Sequence, residues 1–459
     1  PCGSPDSGPR PPVSLAISPE ARAAALVPGG DLVAVLGGTV KAPALDLVDT
    51  RDDSVSTVPL HGVFDSISFA PEGDLAILTY SAGSYVPGLA ARNLNEIDVF
   101  SLASKSALRM QLDTDSIAPR SVVFAPRDAA GAHQLVAVTF EKGVALFDAL
   151  HPQRAPRRVS IRPSGSTASN AIVEALFSPD ARYLYLRATG MDDVVVIELG
   201  SDQDGELTAS INFVAGGSGL SDIAVPRGVG QEKAVLALYT GSQEAVLLDA
   251  RGIEDLAVRL PLSNRLTRIL ALPDGKALLF DGVLRPVVAW DPETGKTGEA
   301  VLDAGFDSVF VEETLLKAVF RHPSLGQMGS GGALSVVSVD EETNRLRVRA
   351  RAIQLTSAAR AFALDTVAGQ LYLANEDATG AAYVVRLDLG TLALAQVGID
   401  APATALQLLP GAASVAAIHA GNDWGDLTFV STINFDRASA ERFADFALSG
   451  DADRAQGEP

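Results

Sequence analysis

The chain has 459 residues, 47% of them apolar and 20% charged, and carries a net charge of −20. A surface this acidic argues against nucleic-acid phosphates and anionic membrane as partners, and it serves solubility. No stretch approaches the roughly 18 consecutive apolar residues that span a bilayer.

The first twelve residues, PCGSPDSGPRPP, hold the one cysteine of the chain, Cys2. A single cysteine forms no internal disulfide, and packing gives no reason for one in a Pro/Gly/Ser-rich stretch. The segment resembles the start of a mature bacterial lipoprotein. That resemblance implies a lipid on Cys2, a flexible tether over 1–12 and a place in the cell envelope, periplasmic or surface-exposed. A beginning at Pro1 instead of Met fits the removal of a leader. The alternative is a free thiol on an unstructured segment.

From residue 13 onward, short apolar runs alternate with turns rich in Pro, Gly and Asp, the pattern of short strands. The clearest unit is Leu266–Leu302. Strands are expected at Leu266–Leu272, Ala277–Phe280, Val287–Trp290 and Thr297–Leu302. Two anchors repeat this unit along the chain. The first is a proline turn after the opening strand, at Pro28, Pro71, Pro126, Pro179, Pro226, Pro273 and Pro410. The wide gap before Pro410 holds two units without the proline, opened by Val309–Glu312 and Ala361–Asp365. The second anchor is an apolar residue followed by Asp at the end of each third strand. It stands at Asp49, Asp148, Asp249, Asp291, Asp340, Asp388 and Asp436, with Ser101 and Glu198 as substitutes, spaced 42 to 52 residues apart. Both anchors count nine units. Asp in this position bonds the backbone of the turn that it opens, which accounts for the residue type without any chemistry.

Four short strands per unit at a period of 40-odd residues, without helical periodicity, point to a β-propeller. The stretches FAPEGDLAIL (Phe69–Leu78), FSPDARYLYL (Phe177–Leu186) and LPDGKALLF (Leu272–Phe280) resemble WD-repeat and YVTN-type propeller motifs. Trp290-Asp291 stands where WD repeats place their dipeptide. No Gly-His pair opens the units, so the looser bacterial YVTN class is the nearer likeness. The expected fold is all-β: one propeller of about nine (eight to nine) four-stranded blades over 13–448, followed by a disordered tail over 449–459. Val13–Ile17 is expected to pair with the last blade.

Such a fold implies little about function. Long connections on a rigid scaffold are where function concentrates. Ser81–Asn95, Arg321–Gly332 and Ala420–Gly425 are the long second-to-third connections. Pro126–His133 and Asp148–Arg157 are the exceptions among otherwise tight turns at the opposite end of the units. Tyr85, His322 and Trp424 are the candidate partner-binding residues, by their amphipathic side chains. The alternative for each is packing beneath its own loop.

No chemistry has a clear foothold. None of His61, His133, His151, His322 and His419 lies in a local zinc pattern, so no metal is expected; the alternative is a set of ligands converging from different blades. Asp202–Glu206 has a fragment of a calcium loop and reads as a hairpin turn. Asp49–Asp53 reads as a turn. No nucleophile elbow is present. The glycine-rich Ala215–Gly219 precedes no helix, which disfavours a phosphate cradle. Arg268 and Asp307 are the polar groups expected to point inward. These readings imply no cofactor and a non-enzymatic scaffold that binds a protein partner in the cell envelope. The alternative, implied by the YVTN likeness, is a lactonase-like hydrolase or small-ligand binder.

Overall fold

The computed structural model describes residues 17–446, apart from 30–31, 50–51, 53, 82–93, 113–117, 128–130, 162–170, 203–204, 228–233, 313–315, 323–331, 356, 358, 378, 400–401, 410–413, 420–424, 434 and 436–439. The described residues form nine four-stranded antiparallel sheets, each a meander of consecutive strands. Sheets 1 to 9 occupy 23–59, 66–111, 121–160, 172–214, 220–261, 268–301, 308–354, 361–399 and 403–446. One short 3-10 turn, Glu254–Leu256, is the only helical segment among the described residues. This is a nine-bladed β-propeller. The sequence count of nine holds, including the two units that lack the proline, which open on Ser308–Glu312 and Ala361–Asp365.

Local chemistry explains why the strands stop where they do. In sheet 6 the strands are Arg268–Ala271, Ala277–Phe280, Pro286–Trp290 and Thr297–Val301, close to the expected bounds. Gly275 turns the first pair at φ 83°, in the left-handed region that glycine enters without a Cβ penalty. Its amide donates to the Leu272 carbonyl. Trp290 pairs with Ala277 across the sheet and is fully buried. Burial of such a side chain contributes about 1.5–3 kcal/mol.

Two third strands differ from expectation. In sheet 4 the strand runs past Glu198 to Ser201, because Leu199, Gly200 and Ser201 pair with Ala209, Thr208 and Leu207. The turn moves to Asp202–Glu206, where the Glu206 amide donates to Asp202 Oδ1 and Gly205 sits at φ 76°. That stretch is the hairpin expected of it. In sheet 9 the third strand ends at Ser431, five residues before Asp436, which lies outside the described residues. Residues 13–16 of the expected closing strand also lie outside them.

The sheets group into two compact units, one of residues 60–302 with 338–350, the other of the remainder. In the first, each sheet packs on the next through its apolar faces. Sheets 2 and 3 meet through Ile77, Val99, Val136 and Phe147, sheets 4 and 5 through Tyr185, Val196, Ala237 and Val246, and sheets 5 and 6 through Leu236, Ala245 and Leu279. In the second, sheets 8 and 9 share Val384, Val397, Val415 and Val430. Neighbouring two-sided strands explain the near-continuous apolar runs in the sequence.

Candidate functional site: the first strands of sheets 4 to 6

In the larger unit the first strands of sheets 5 and 6, Leu220–Ala224 and Arg268–Ala271, are neighbours. A β-bulge interrupts Leu220–Ala224 between Leu220 and Asp222. The first strand of sheet 4, Ile172–Phe177, carries the same bulge between Ile172 and Glu174. A bulge inserts a residue and re-aims the side chain that follows it. In both strands the re-aimed residue is an acid.

Each acid reaches the next sheet. Asp222 Oδ2 accepts the Ile269 amide at 2.9 Å and Arg268 Nε at 3.1 Å. Glu174 accepts the Ile223 amide, and its Oε2 takes Arg187 Nε at 3.0 Å. Burial pushes the Asp222 carboxyl above its ordinary value, against the opposing pull of the Ile269 amide, Arg268 and Arg187. Burial raises Glu174 as well, reinforced by the Asp222 charge and countered by Arg187. The result is a strip of two carboxylates and two guanidiniums in which Arg268 is 66% exposed. Its open guanidinium can hold an anionic group, and a raised carboxyl keeps a proton to higher pH than usual.

Of the residues singled out from sequence, Arg268 belongs to this strip. Asp307 does not. It accepts Arg321 Nε at 2.7 Å and Ser308 Oγ at 2.8 Å, and Arg321 also lies over the Phe362 ring at 5.4 Å. Burial alone would raise Asp307, but these bonds outweigh it and hold the carboxyl below its ordinary value. His322 is a correction. It ends the strand Lys317–His322 and is buried, with Nδ1 2.8 Å from the Gly305 carbonyl and Nε2 2.7 Å from Ser335 Oγ. His322 shares one face of the strand with the buried Ala318 and Phe320, so its ring faces the interior and not the loop. Tyr85, Trp424 and Cys2 lie outside the described residues.

The glycines of Ala215–Gly219 serve packing. A Cβ on Gly216 would fall 2.4 Å from the Tyr239 hydroxyl, and one on Gly217 would fall 2.8 Å from Tyr239 Cγ. Only glycine lets this segment lie on that buried ring. Beside it, a cleft of about 550 Å³ is lined by Asn212, Gly216, Asp249, Arg251, Ile253 and Arg259, among others.

One cluster joins residues that no sequence motif links. His133 and His151, from the two connections flagged as long for their type, both point Nδ1 at Asp148 Oδ2, each at 2.7 Å. No local spacing announces it, because strands Leu135–Thr139 and Gly143–Asp148 separate the two histidines.

No protein-family model and no curated protein matches this sequence. Among solved structures the chain is similar to the dihydro-heme d1 dehydrogenase NirN, at 12% identity and TM-score 0.48, over 86% of this chain and 78% of that one. It is similar to the β-propeller domain of Cps50 (Swd1) from Myceliophteria thermophila, at 12% identity and TM-score 0.38, over 77% and 92%. Virginiamycin B lyase from Staphylococcus aureus matches at 12% identity and TM-score 0.35, over 62% and 84%. The neighbours mix enzymes and non-enzymes, and none of these likenesses extends to function.

Proposed function

We propose that this chain is a non-catalytic, protein-binding β-propeller of the looser YVTN class, tethered to the bacterial cell envelope by a lipid on Cys2. The observation that supports the binding role is how the acids of the first strands are used. Glu174 and Asp222 each take an arginine and the backbone amide of the next sheet. A carboxylate bonded in this way fastens one sheet to another. A general acid or base must instead present its atom to a substrate. Recognition then falls to the connecting segments, and the long ones, over 82–93, 323–331 and 420–424, have the chain length for it. Tyr85 and Trp424 are the anchors in this reading.

Two experiments test it. Shortening all three segments to tight turns should abolish capture of the envelope partner that the wild-type chain retains, with thermal stability near wild type. Retention of that same partner by the triple variant sinks the binding surface. Cys2→Ser should move the protein from the membrane pellet to the soluble fraction, and an unchanged distribution ends the tether reading.

A second reading rests on Arg268. Its exposed guanidinium beside two raised carboxyls suits a small anionic ligand or a lactone. Arg268→Ala that abolishes ligand binding or ester hydrolysis while partner capture persists would favour this reading over the first.

A further inference from the structure

We infer that His133, Asp148 and His151 form a binding site for a divalent late transition-metal ion of the zinc type. The three residues offer one ligand atom each, and these atoms lie within 4.8 Å of one another. The histidines approach with the same ring nitrogen. Nδ1 of each stands 2.7 Å from Asp148 Oδ2, and the ring centroids are 5.5 Å apart.

The carboxylate is held from behind. Its other oxygen, Oδ1, accepts the Gln134 and Leu150 amides, each at 3.0 Å. Backbone donors on the far oxygen orient a ligating carboxylate and leave its near oxygen for the ion, which is how outer partners support a metal ligand. Asp148 is buried, whereas the His133 and His151 side chains are 53% and 35% exposed. The rigid ligand is therefore at the base and the adjustable ligands are at the rim. In a tetrahedral site with bonds of about 2.0–2.1 Å the donors stand roughly 3.3 Å apart. Each Nδ1 has to retreat about 0.6 Å from Oδ2 to admit an ion, a movement that exposed imidazoles make by small side-chain rotations.

The turn does not need the histidines. In sheets 6 and 8 the same third-strand aspartates, Asp291 and Asp388, are closed by a threonine three residues on, Thr294 and Thr391. In sheet 3 that position is His151, and a second histidine arrives from the neighbouring connection. Two imidazoles and one carboxylate select zinc-like ions over magnesium or calcium, which prefer all-oxygen shells. Three protein donors with the remaining position toward solvent make an open coordination sphere.

The test uses the full chain, stripped with a chelator and titrated with Zn2+ against a chromophoric competitor, and with Co2+ followed by its visible absorption. One ion per chain is expected, with nitrogen-containing tetrahedral Co2+ bands. His151→Thr restores the side chain that sheets 6 and 8 carry, so it keeps the turn. It should weaken Zn2+ binding at least roughly 100-fold, since loss of an outer partner alone costs 10–100-fold. His133→Ala should do the same. Circular dichroism keeps misfolding apart from loss of the site. Absence of stoichiometric Zn2+ binding to the folded wild type, or unchanged affinity in both folded variants, overturns the inference.

Discussion

The turn after the third strand of sheet 6 and its counterpart in sheet 3 begin with the same residue and end differently. In sheet 6, Asp291 Oδ1 accepts the Glu293 and Thr294 amides, and Oδ2 accepts Thr294 Oγ1 at 2.6 Å. Both oxygens are satisfied within four residues. In sheet 3, Asp148 Oδ1 accepts one amide of its own turn, from Leu150, and one from Gln134 on the preceding connection. Oδ2 then meets two histidines. One aspartate closes a local motif, and the other ties two connections together. Threonine gives way to histidine at the third position, and a second histidine, His133, joins it from the preceding connection; together they separate a turn from a candidate site.

The largest effect should come from Asp148→Ala. It leaves the fully buried Gln134 without the carboxylate that its amide bonds, and an unsatisfied buried group costs about 1–3 kcal/mol, with the Leu150 and histidine bonds lost besides. A loss of roughly 2–4 kcal/mol by chemical denaturation is expected. Asp291→Ala should cost less, roughly 1–2 kcal/mol, because water reaches the Glu293 and Thr294 donors once the side chain is gone. Equal losses in the two variants would show that the tie between connections adds nothing to the turn.

The dependence on pH sharpens the contrast between turn acids and first-strand acids. Burial alone would raise Asp291, but the Thr294 and Glu293 bonds outweigh it and lower its pKa. Its stability contribution is present above the ordinary carboxylate range and is lost as pH falls through the folded value. Asp222 is raised, chiefly by burial, so the sign reverses. Its folded form holds the proton longer than the unfolded chain does, and stability declines as pH rises from about 4 toward the folded value. Asp291→Asn should therefore flatten the acid limb of the stability profile. Asp222→Asn should make stability rise more steeply just above pH 4. Denaturation midpoints across that range check both, and identical slopes in the two variants contradict the opposite signs.

The smallest effect should be that of His151→Thr on the metal-free protein, within about 0.5–1 kcal/mol, since the threonine hydroxyl can take Oδ2 as in sheet 6. A loss as large as that of Asp148→Ala would give His151 a structural role that Thr294 does not share.

The sequence by itself determined the count of sheets, their strand order and most of their bounds. Those features come from local interactions: short apolar runs, a glycine or proline at many of the turns, an aspartate that bonds its own turn. Its errors were local failures of the same rules. Glu198 does not end its strand, because pairing of Leu199–Ser201 with Leu207–Ala209 outcompetes a turn there. His322 reads from the sequence as a loop residue, yet it extends the strand on the face of the buried Ala318 and Phe320. Tertiary structure alone decided which side chains meet. Glu174 and Asp222 lie 48 residues apart, and each is turned by a bulge toward an amide of the next sheet, a juxtaposition that no local spacing encodes. His133 and His151 are brought together because one antiparallel hairpin returns the chain to the end of the sheet where it began. The third-position histidine after Asp148 stands in the sequence where Asp291 and Asp388 have a threonine. Its partner across the hairpin carries no such mark, because the distance between them is set by strand length and pairing, and neither is a property of the two residues themselves.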